Sequence, residues 1–348
     1  MRLLVTGAAG FIGTNFVRLS LDGSTAHVPV ERLVALDLLT YAGNYANLAD
    51  LEGDPRFRFV CGDIADGDAV AALLRDERID VIVNFAAESH VDRSIHDHGP
   101  FLRTNVHGTL ALLDAARSVG SLTRFLQVST DEVYGDLGLD EARAFKEGDM
   151  LHPRSAYAAS KAGSDHVVLS YAHSFGMDVT VSRCCNNYGP HQFPEKLIPL
   201  FATNAMEDKP LPLFRSSKNT REWIHADDHS AAVDRILAKG KLGEIYNIGT
   251  GVEKSIEEIT DIILTTLGKP ESLKTYVPDR PGHDRRYVVD ASKIERELGW
   301  KPAIPFDQGI RETVLWYRDN PEWWKRVKSG AYQTYYDTYY KETLKENV

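Results

Sequence analysis

Cysteine is scarce in this chain and cannot build a scaffold. The three residues, Cys61, Cys184 and Cys185, are odd in number, the adjacent pair is poorly placed to bridge itself, and their spacing is not that of metal ligands. Neither a disulfide framework nor a metal site is expected. Long apolar runs are missing too. The opening M-R-L-L-V-T-G reaches Gly7 too soon for a signal peptide, and no stretch approaches membrane-spanning length, so the expectation is a cytoplasmic protein with no membrane partner. Positive charge is in deficit: 40 Lys and Arg against 50 Asp and Glu leave a net charge of -10. That balance argues against nucleic acid or an anionic membrane as the main partner, and an anionic ligand must meet a local basic pocket instead. There is no internal repeat and no low-complexity linker. What is present is 348 residues, 43% of them hydrophobic, enough for one large domain or two unequal ones around a full core.

Strand-like and helix-like runs alternate from residue 2 to residue 128. Arg2 to Thr6 is a short strand, and G-A-A-G-F-I-G follows, setting Gly7, Gly10 and Gly13 around Phe11 and Ile12 before an amphipathic run through Val17. Strand, glycine turn and helix in that order let backbone amides approach a pyrophosphate at a helix N-terminus, while Gly13 allows close packing of helix on strand. The next strand, Leu33 to Leu36, ends in Asp37, where a carboxylate can hold a ribose hydroxyl pair. It would repel a 2'-phosphate, and Leu38 offers no arginine to receive one, so NAD is expected over NADP. A ligand-free turn at the glycines and a simple cap at Asp37 are the bland alternatives. Phe57 to Val60 and Asp80 to Phe85 are further strands, and Asp63 with Ile64, just past the first, can meet the adenine. Ala69 to Arg75 and Phe101 to Arg117 read as helices. The expected fold is α/β, a Rossmann-type doubly wound parallel sheet.

The candidate chemistry lies between Val128 and Lys161. Phe125 to Val128 reads as a buried strand, so Thr130, Asp131 and Glu132 leave its carboxyl end, where open α/β sheets place their ligands. Two neighbouring carboxylates suggest proton transfer. Tyr157 and Lys161, four apart in a helix-forming run, share a face, and the ammonium is expected to lower the phenol's pKa toward that of a useful base. The irregular loop after Gly135 has neither period and reads as a lid. Helix Ser155 to Ser174 and strand Met177 to Ser182 follow. From about Gln192 the elements shorten: helices Leu197 to Ala205, Asp228 to Lys239, Ser255 to Leu267, Ser292 to Leu298 and Phe306 to Tyr317, with strands Trp223 to His225 and Glu244 to Ile248. The expected division is an NAD-binding domain over 1–190 that holds the catalytic residues, and a smaller C-terminal α/β substrate-binding lobe over 191–348, partly woven back onto the first.

G-A-A-G-F-I-G, Y-A-A-S-K and the strand-end Thr130 together resemble the extended short-chain dehydrogenase/reductase superfamily of nucleotide-sugar enzymes. Four further stretches narrow this: S-T-D-E-V-Y-G, A-E-S-H-V-D-R-S-I (Ala87 to Ile95), C-N-N-Y-G-P…P-E-K-L-I-P-L (Cys185 to Leu200) and D-R-P-G-H-D-R-R-Y (Asp279 to Tyr287). In this order, and over nearly the whole chain, they are similar to the dTDP-glucose 4,6-dehydratase family. The resemblance implies NAD as cofactor, a nucleotide-sugar substrate and a homodimer paired through the runs Phe101 to Arg117 and Ser155 to Ser174. It also implies a cycle that oxidises carbon 4, eliminates water across carbons 5 and 6, and returns the hydride to carbon 6. In that cycle Tyr157, beside Lys161, is the base for the 4-hydroxyl and Thr130 its hydrogen-bond partner. Glu132 removes the carbon-5 proton, and a protonated Asp131 serves the departing 6-hydroxyl.

Cofactor contacts are implied for Gly7, Gly10, Phe11, Ile12, Gly13, Asp37, Asp63, Ile64, Ala86, Tyr157 and Lys161. Substrate contacts are implied for Ser89, Thr130, Asn186, Lys196, Leu197, Arg221 and Arg280, with His90 and Arg93 lining nicotinamide and sugar. The chain departs from the family pattern at Phe214 to Ser217, Ser255, Leu38, Arg154 and Ala156, which touches the nucleotide base more than the reaction. The rival readings are a nucleotide-sugar 4-epimerase, a dehydratase of another sugar nucleotide such as UDP-glucose, and a non-catalytic NAD-binding regulator.

Overall fold

A computed structural model describes residues 1–24, 29–215, 218–278 and 284–329. The first half contributes six strands: β1 (Arg2–Thr6), β2 (Arg32–Asp37), β3 (Phe57–Cys61), β4 (Val81–Asn84), β5 (Arg124–Thr130) and β6 (Val179–Cys184). The inner ones are buried without interruption, as at Leu3, Leu4 and Val5 of β1 and Ile82 and Val83 of β4. Successive side chains point to opposite faces, so a run buried at every position needs cover on both, which is the condition of a parallel sheet. All six pair in parallel, and Ile245–Ile248 joins them, in the order Ile245–Ile248, β6, β5, β4, β1, β2, β3. The strand order reverses between β1 and β4, which opens a crevice at their carboxyl ends.

One face of the sheet packs on helix α1 (Phe11–Asp22) and on helices Ala226–Lys239 and Ser292–Leu298 through Phe16, Val17, Val233, Ile236 and Leu298. The other packs on helices Gly67–Asp76, Thr109–Val119 and Ala156–Phe175 through Leu74, Leu112, Leu113 and Val168. Each such side chain removed from water contributes about 1.5–3 kcal/mol, so these two layers hold the fold more than any single polar contact does. Elements from the second half therefore complete the first-half sheet.

Around this body, Thr220–His225 pairs in parallel with Asn186–Tyr188 and Arg286–Tyr287 and antiparallel with Glu253–Ser255. Helices Leu197–Met206, Ile256–Leu267 and Phe306–Asp319 enclose a separate apolar cluster with Trp223, Leu211 and Leu213.

Two sequence expectations need correction. The single helix over Phe101 to Arg117 is three pieces: a turn at Gly99–Phe101, a wide π-helical stretch over Leu102–Gly108, and an α-helix over Thr109–Val119. The loop after Gly135 is not a loose lid but a docked strap. Phe145 bridges to Val289, and Leu137, Phe145 and Val289 share an apolar cluster with Val133 and Tyr134. Both corrections come from long-range contacts that carry no local period. The tyrosine-rich tail lies outside the described residues.

Candidate active site

The crevice at the sheet's reversal is a cleft whose lining runs from the glycine turn, past Asp37 and Ala86, to Thr130, Asp131, Glu132, Tyr157 and Lys161. Gly7 has a φ of +63°, and a Cβ there would lie 2.6 Å from the Ala86 amide nitrogen; one on Gly13 would collide with the Gly7 carbonyl. Both positions exclude side chains, and Ala86 is thereby held against the turn. Gly10 caps α1 without a side chain, and the first turn of α1 has no acidic residue. Its open amides, behind Phe11 and Ile12, fit an anionic pyrophosphate. Asp37 bridges this turn to the end of β2: one carboxylate oxygen accepts from the Ala9 amide at 2.9 Å and the other from the Leu39 amide at 2.8 Å. It is thus a turn residue as well as a cleft residue, with capacity left to accept from a ribose.

Asp63 accepts from the Ala65 amide at 2.9 Å and pairs with the exposed Arg103 at 2.5 Å, and Ile64 packs under Gly108. These residues together fit a dinucleotide. Among the described residues no cluster suits a metal.

The chemistry-bearing end is built on β5. Thr130 caps the short 3-10 turn Asp131–Tyr134, accepting from the Glu132 amide at 3.3 Å, and its hydroxyl donates to Asp131 Oδ1 at 3.2 Å. That leaves Asp131 Oδ2 buried with no hydrogen-bond partner. Burial, reinforced by the charges of Glu132 and Glu222, pushes the Asp131 carboxyl well up, which favours its protonated form. Tyr157 reaches the same place from the helix Ala156–Phe175, with its phenol hydrogen-bonded to Thr130. Lys161, one turn on, donates to the Val128 carbonyl at 2.6 Å.

The expected pKa relation within this pair is reversed. Burial and the charge of Glu132 raise the phenol, and burial brings the Lys161 ammonium down to about 8. Desolvation is the largest cause at both groups.

Of the implied substrate residues, Ser89, Asn186 and Lys196 line the cleft, and Lys196 Nζ donates to the Ser89 carbonyl across it at 3.0 Å. Leu197 begins the helix that Lys196 caps. Arg221 is set apart. Its guanidinium donates to the carbonyls of Thr220 at 2.8 Å and Asp284 at 2.9 Å and lies over the Tyr287 ring. Arg280 lies outside the described residues. His90 is buried as the cap of Val91–His96, with Nε2 3.7 Å from Glu195, and Arg93 sits over the Tyr41 ring rather than in the open cleft.

Sequence reasoning missed several neighbours. Glu222 is fully buried, accepts the amides of Thr250, Gly251 and Val289, and is pushed up to about 7 by burial. Asn105 ties the cleft loop from the π-stretch by bonding both backbone groups of Glu88 and the Ser160 hydroxyl. Nothing local distinguishes such residues from surface ones.

A glycine-turn dinucleotide cleft with a Tyr-Lys pair and a strand-end threonine defines a short-chain dehydrogenase/reductase. A family model described as GDP-mannose 4,6 dehydratase matches residues 4–313. The chain is 49% identical to dTDP-glucose 4,6-dehydratase of Xanthomonas campestris, over 95% of this chain and 97% of that protein. It is 44% identical to dTDP-glucose 4,6-dehydratase 1 of Escherichia coli, over 98% and 99%. Among solved structures, the dTDP-glucose 4,6-dehydratase DesIV of Streptomyces venezuelae, with NAD and TYD bound, superposes with a TM-score of 0.91 at 52% identity, covering 94% of this chain and 100% of that one. UDP-glucose 4-epimerase of Thermotoga maritima superposes with a TM-score of 0.84 at 26% identity, over 92% of this chain and 100% of that one. The chain belongs to the dTDP-glucose 4,6-dehydratase family.

Proposed function

We propose that this chain dehydrates dTDP-glucose to the 4-keto-6-deoxy sugar nucleotide. The observation that carries the reading is Asp131: a buried carboxyl with one oxygen unpartnered, whose burial favours the protonated form, beside Glu132 and bonded to Thr130. NAD would be held by the glycine turn, Asp37 and Ala86, and would supply hydride chemistry at carbons 4 and 6. The chain's own residues move the protons. Tyr157 takes the proton of the 4-hydroxyl as a phenolate, a form that burial opposes and that the positive charge of bound NAD would favour, while Thr130 holds that oxygen, and the ketone so formed acidifies carbon 5. Glu132 then removes the carbon-5 proton as Asp131 gives its own to the departing 6-hydroxyl, and water leaves. Lys161, through its bond to the Val128 carbonyl, ties the helix that presents Tyr157 to β5. Asn186, Lys196 and, from the second lobe, Arg221 and Arg280 are assigned to the diphosphate.

We further propose that residues 191–348 mainly bind the sugar nucleotide, that the protein works in the cytoplasm, where its free thiols stay reduced, and that it is a homodimer. Exposed Leu102, Leu110 and Phe175 support the last reading, since they lie on the two helical runs that would pair.

The decisive experiment incubates the purified chain with dTDP-glucose and with UDP-glucose, first without and then with added NAD, and follows each sugar nucleotide by mass. Loss of one water, faster from dTDP-glucose, is the expected result. A new isomer of unchanged mass would replace the dehydratase reading with that of an epimerase, which oxidises carbon 4 but needs no elimination pair.

A further inference from the structure

The glycine turn is tied to the far end of the chain. Gly10 has no Cβ to restrict it, so the peptide that joins Ala9 to Gly10 can rotate unless something outside the turn holds it. Two donors do. The Ala9 carbonyl accepts from the Asn44 amide at 3.0 Å and from Asn47 Nδ2 at 3.1 Å. The Gly10 N–H belongs to the same rigid peptide, so fixing that carbonyl also fixes the amide that donates to Gly7 at 3.2 Å, at the entry to α1 and its open amides. Asn47 is buried, and the other side of its amide faces a residue 276 positions further on: Trp323 Nε1 donates to Oδ1 at 2.8 Å. An indole nitrogen can only donate, so the oxygen must face it and the NH2 group is left for the Ala9 carbonyl. Turned over, the amide would set donor against donor and acceptor against acceptor. Trp323 is itself held within the helix Pro321–Lys328, its ring 5.3 Å from that of Trp316 and 5.8 Å from that of His191 between centroids. Tyr317, on the preceding helix, donates to the carbonyl of the cleft residue Gln192 at 2.7 Å.

We propose that Trp323 and Asn47 are positioning residues for NAD, a hydrogen-bonded relay from the helix Pro321–Lys328 that holds the glycine turn in its binding shape and slows release of the cofactor. Neither side chain is among those lining the cleft, so both act through the Ala9 peptide. A turn already in shape has less freedom to lose on binding, and that saving appears as affinity. The link runs both ways: NAD in the cleft tightens the hold on the helix.

The test loads the full-length protein with NAD and follows release of the nucleotide on dilution by chromatography, a reading that does not depend on which sugar nucleotide the chain takes. Trp323→Phe, which keeps a ring and removes the N–H, should release NAD about three- to tenfold faster, the worth of one hydrogen bond. Trp324→Phe is the control. Its Nε1 donates to the Tyr317 carbonyl at 2.9 Å, so a bond of the same kind is lost from the same helix without touching the turn. The melting temperature of that variant should fall while NAD leaves at the wild-type rate. Asn47→Ala should release NAD at least as fast as Trp323→Phe does, and adding Trp323→Phe to it should change nothing further. Should Asn47→Ala fail to fold, hydrogen exchange of the unaltered protein reads the same link: NAD should slow the amides of residues 321–328 by a factor comparable to the one by which Trp323→Phe speeds release. Wild-type release from Trp323→Phe, equal speeding by Trp323→Phe and Trp324→Phe, additive speeding in the double variant, or exchange at 321–328 indifferent to NAD would each overturn the relay.

Discussion

Burial and the charge of Glu132 disfavour the charged form of Asp131, and the same disfavour acts on the fold. Its folded-state pKa lies above the unfolded value of about 3.9, so the stability it confers is complete below about pH 3.9 and is lost as pH rises through the folded value. Asp131→Asn should therefore raise the thermal midpoint at pH 7 by about 2 °C or more, with a smaller gain at pH 4.5, as calorimetry at both values would read. The same variant should lose about 10²–10⁴-fold in dehydration yet still oxidise carbon 4, seen as NADH absorbance without loss of water. Tyr157→Phe should instead lose the absorbance itself by a comparable factor. A stabilised Asp131→Asn with full dehydration would remove Asp131 from the acid role. The residue types at this end were legible in S-T-D-E-V-Y-G and Y-A-A-S-K. Their charge states were not, because spacing reveals that Tyr157 and Lys161 meet but not that both are buried when they do.

At the scale of elements, periodicity found the strands because each carries a short apolar run, and it found the glycine turn because that turn is local. It could not find the π-stretch over Leu102–Gly108, whose extra residue per turn serves a distant need, presenting Asn105 to Glu88 and Ser160. Asn105→Ala would leave buried backbone groups of Glu88 unsatisfied. It should cost about 1–3 kcal/mol in denaturant melts and weaken NAD binding, since Glu88 and Ser89 line the cleft. The strap is a second case. Asp136 accepts from the amides of Arg285 at 2.5 Å and Arg286 at 3.0 Å and pairs with Arg154 at 2.9 Å, so it clips the segment after Glu132 to the arm that carries Tyr287. Asp136→Ala is expected to raise the KM for the sugar nucleotide several-fold with NAD affinity unchanged, as steady-state kinetics and cofactor titration would separate.

For the molecule as a whole, the exposed Leu102 and Phe175 are apolar residues on two faces that the sheet leaves uncovered. The combined change Leu102→Glu and Phe175→Glu should halve the mass seen by sedimentation while leaving the melting curve of a folded protein. An unchanged mass would count against the dimer assignment. Ile245–Ile248, from beyond residue 190, pairs with β6 along Val181 to Cys184. That strand has a consequence for how the protein is made. Until it leaves the ribosome, the β6 edge of the nascent sheet has no partner, and at about 5–20 residues per second the wait after β6 lasts several seconds. An unpaired strand edge of this length, every residue of which is buried in the folded protein, is a template for association with other chains. Synthesis is thus the most hazardous stage in the life of this protein, and slowing translation between residues 184 and 245 should lower its soluble yield more than slowing it anywhere after residue 250.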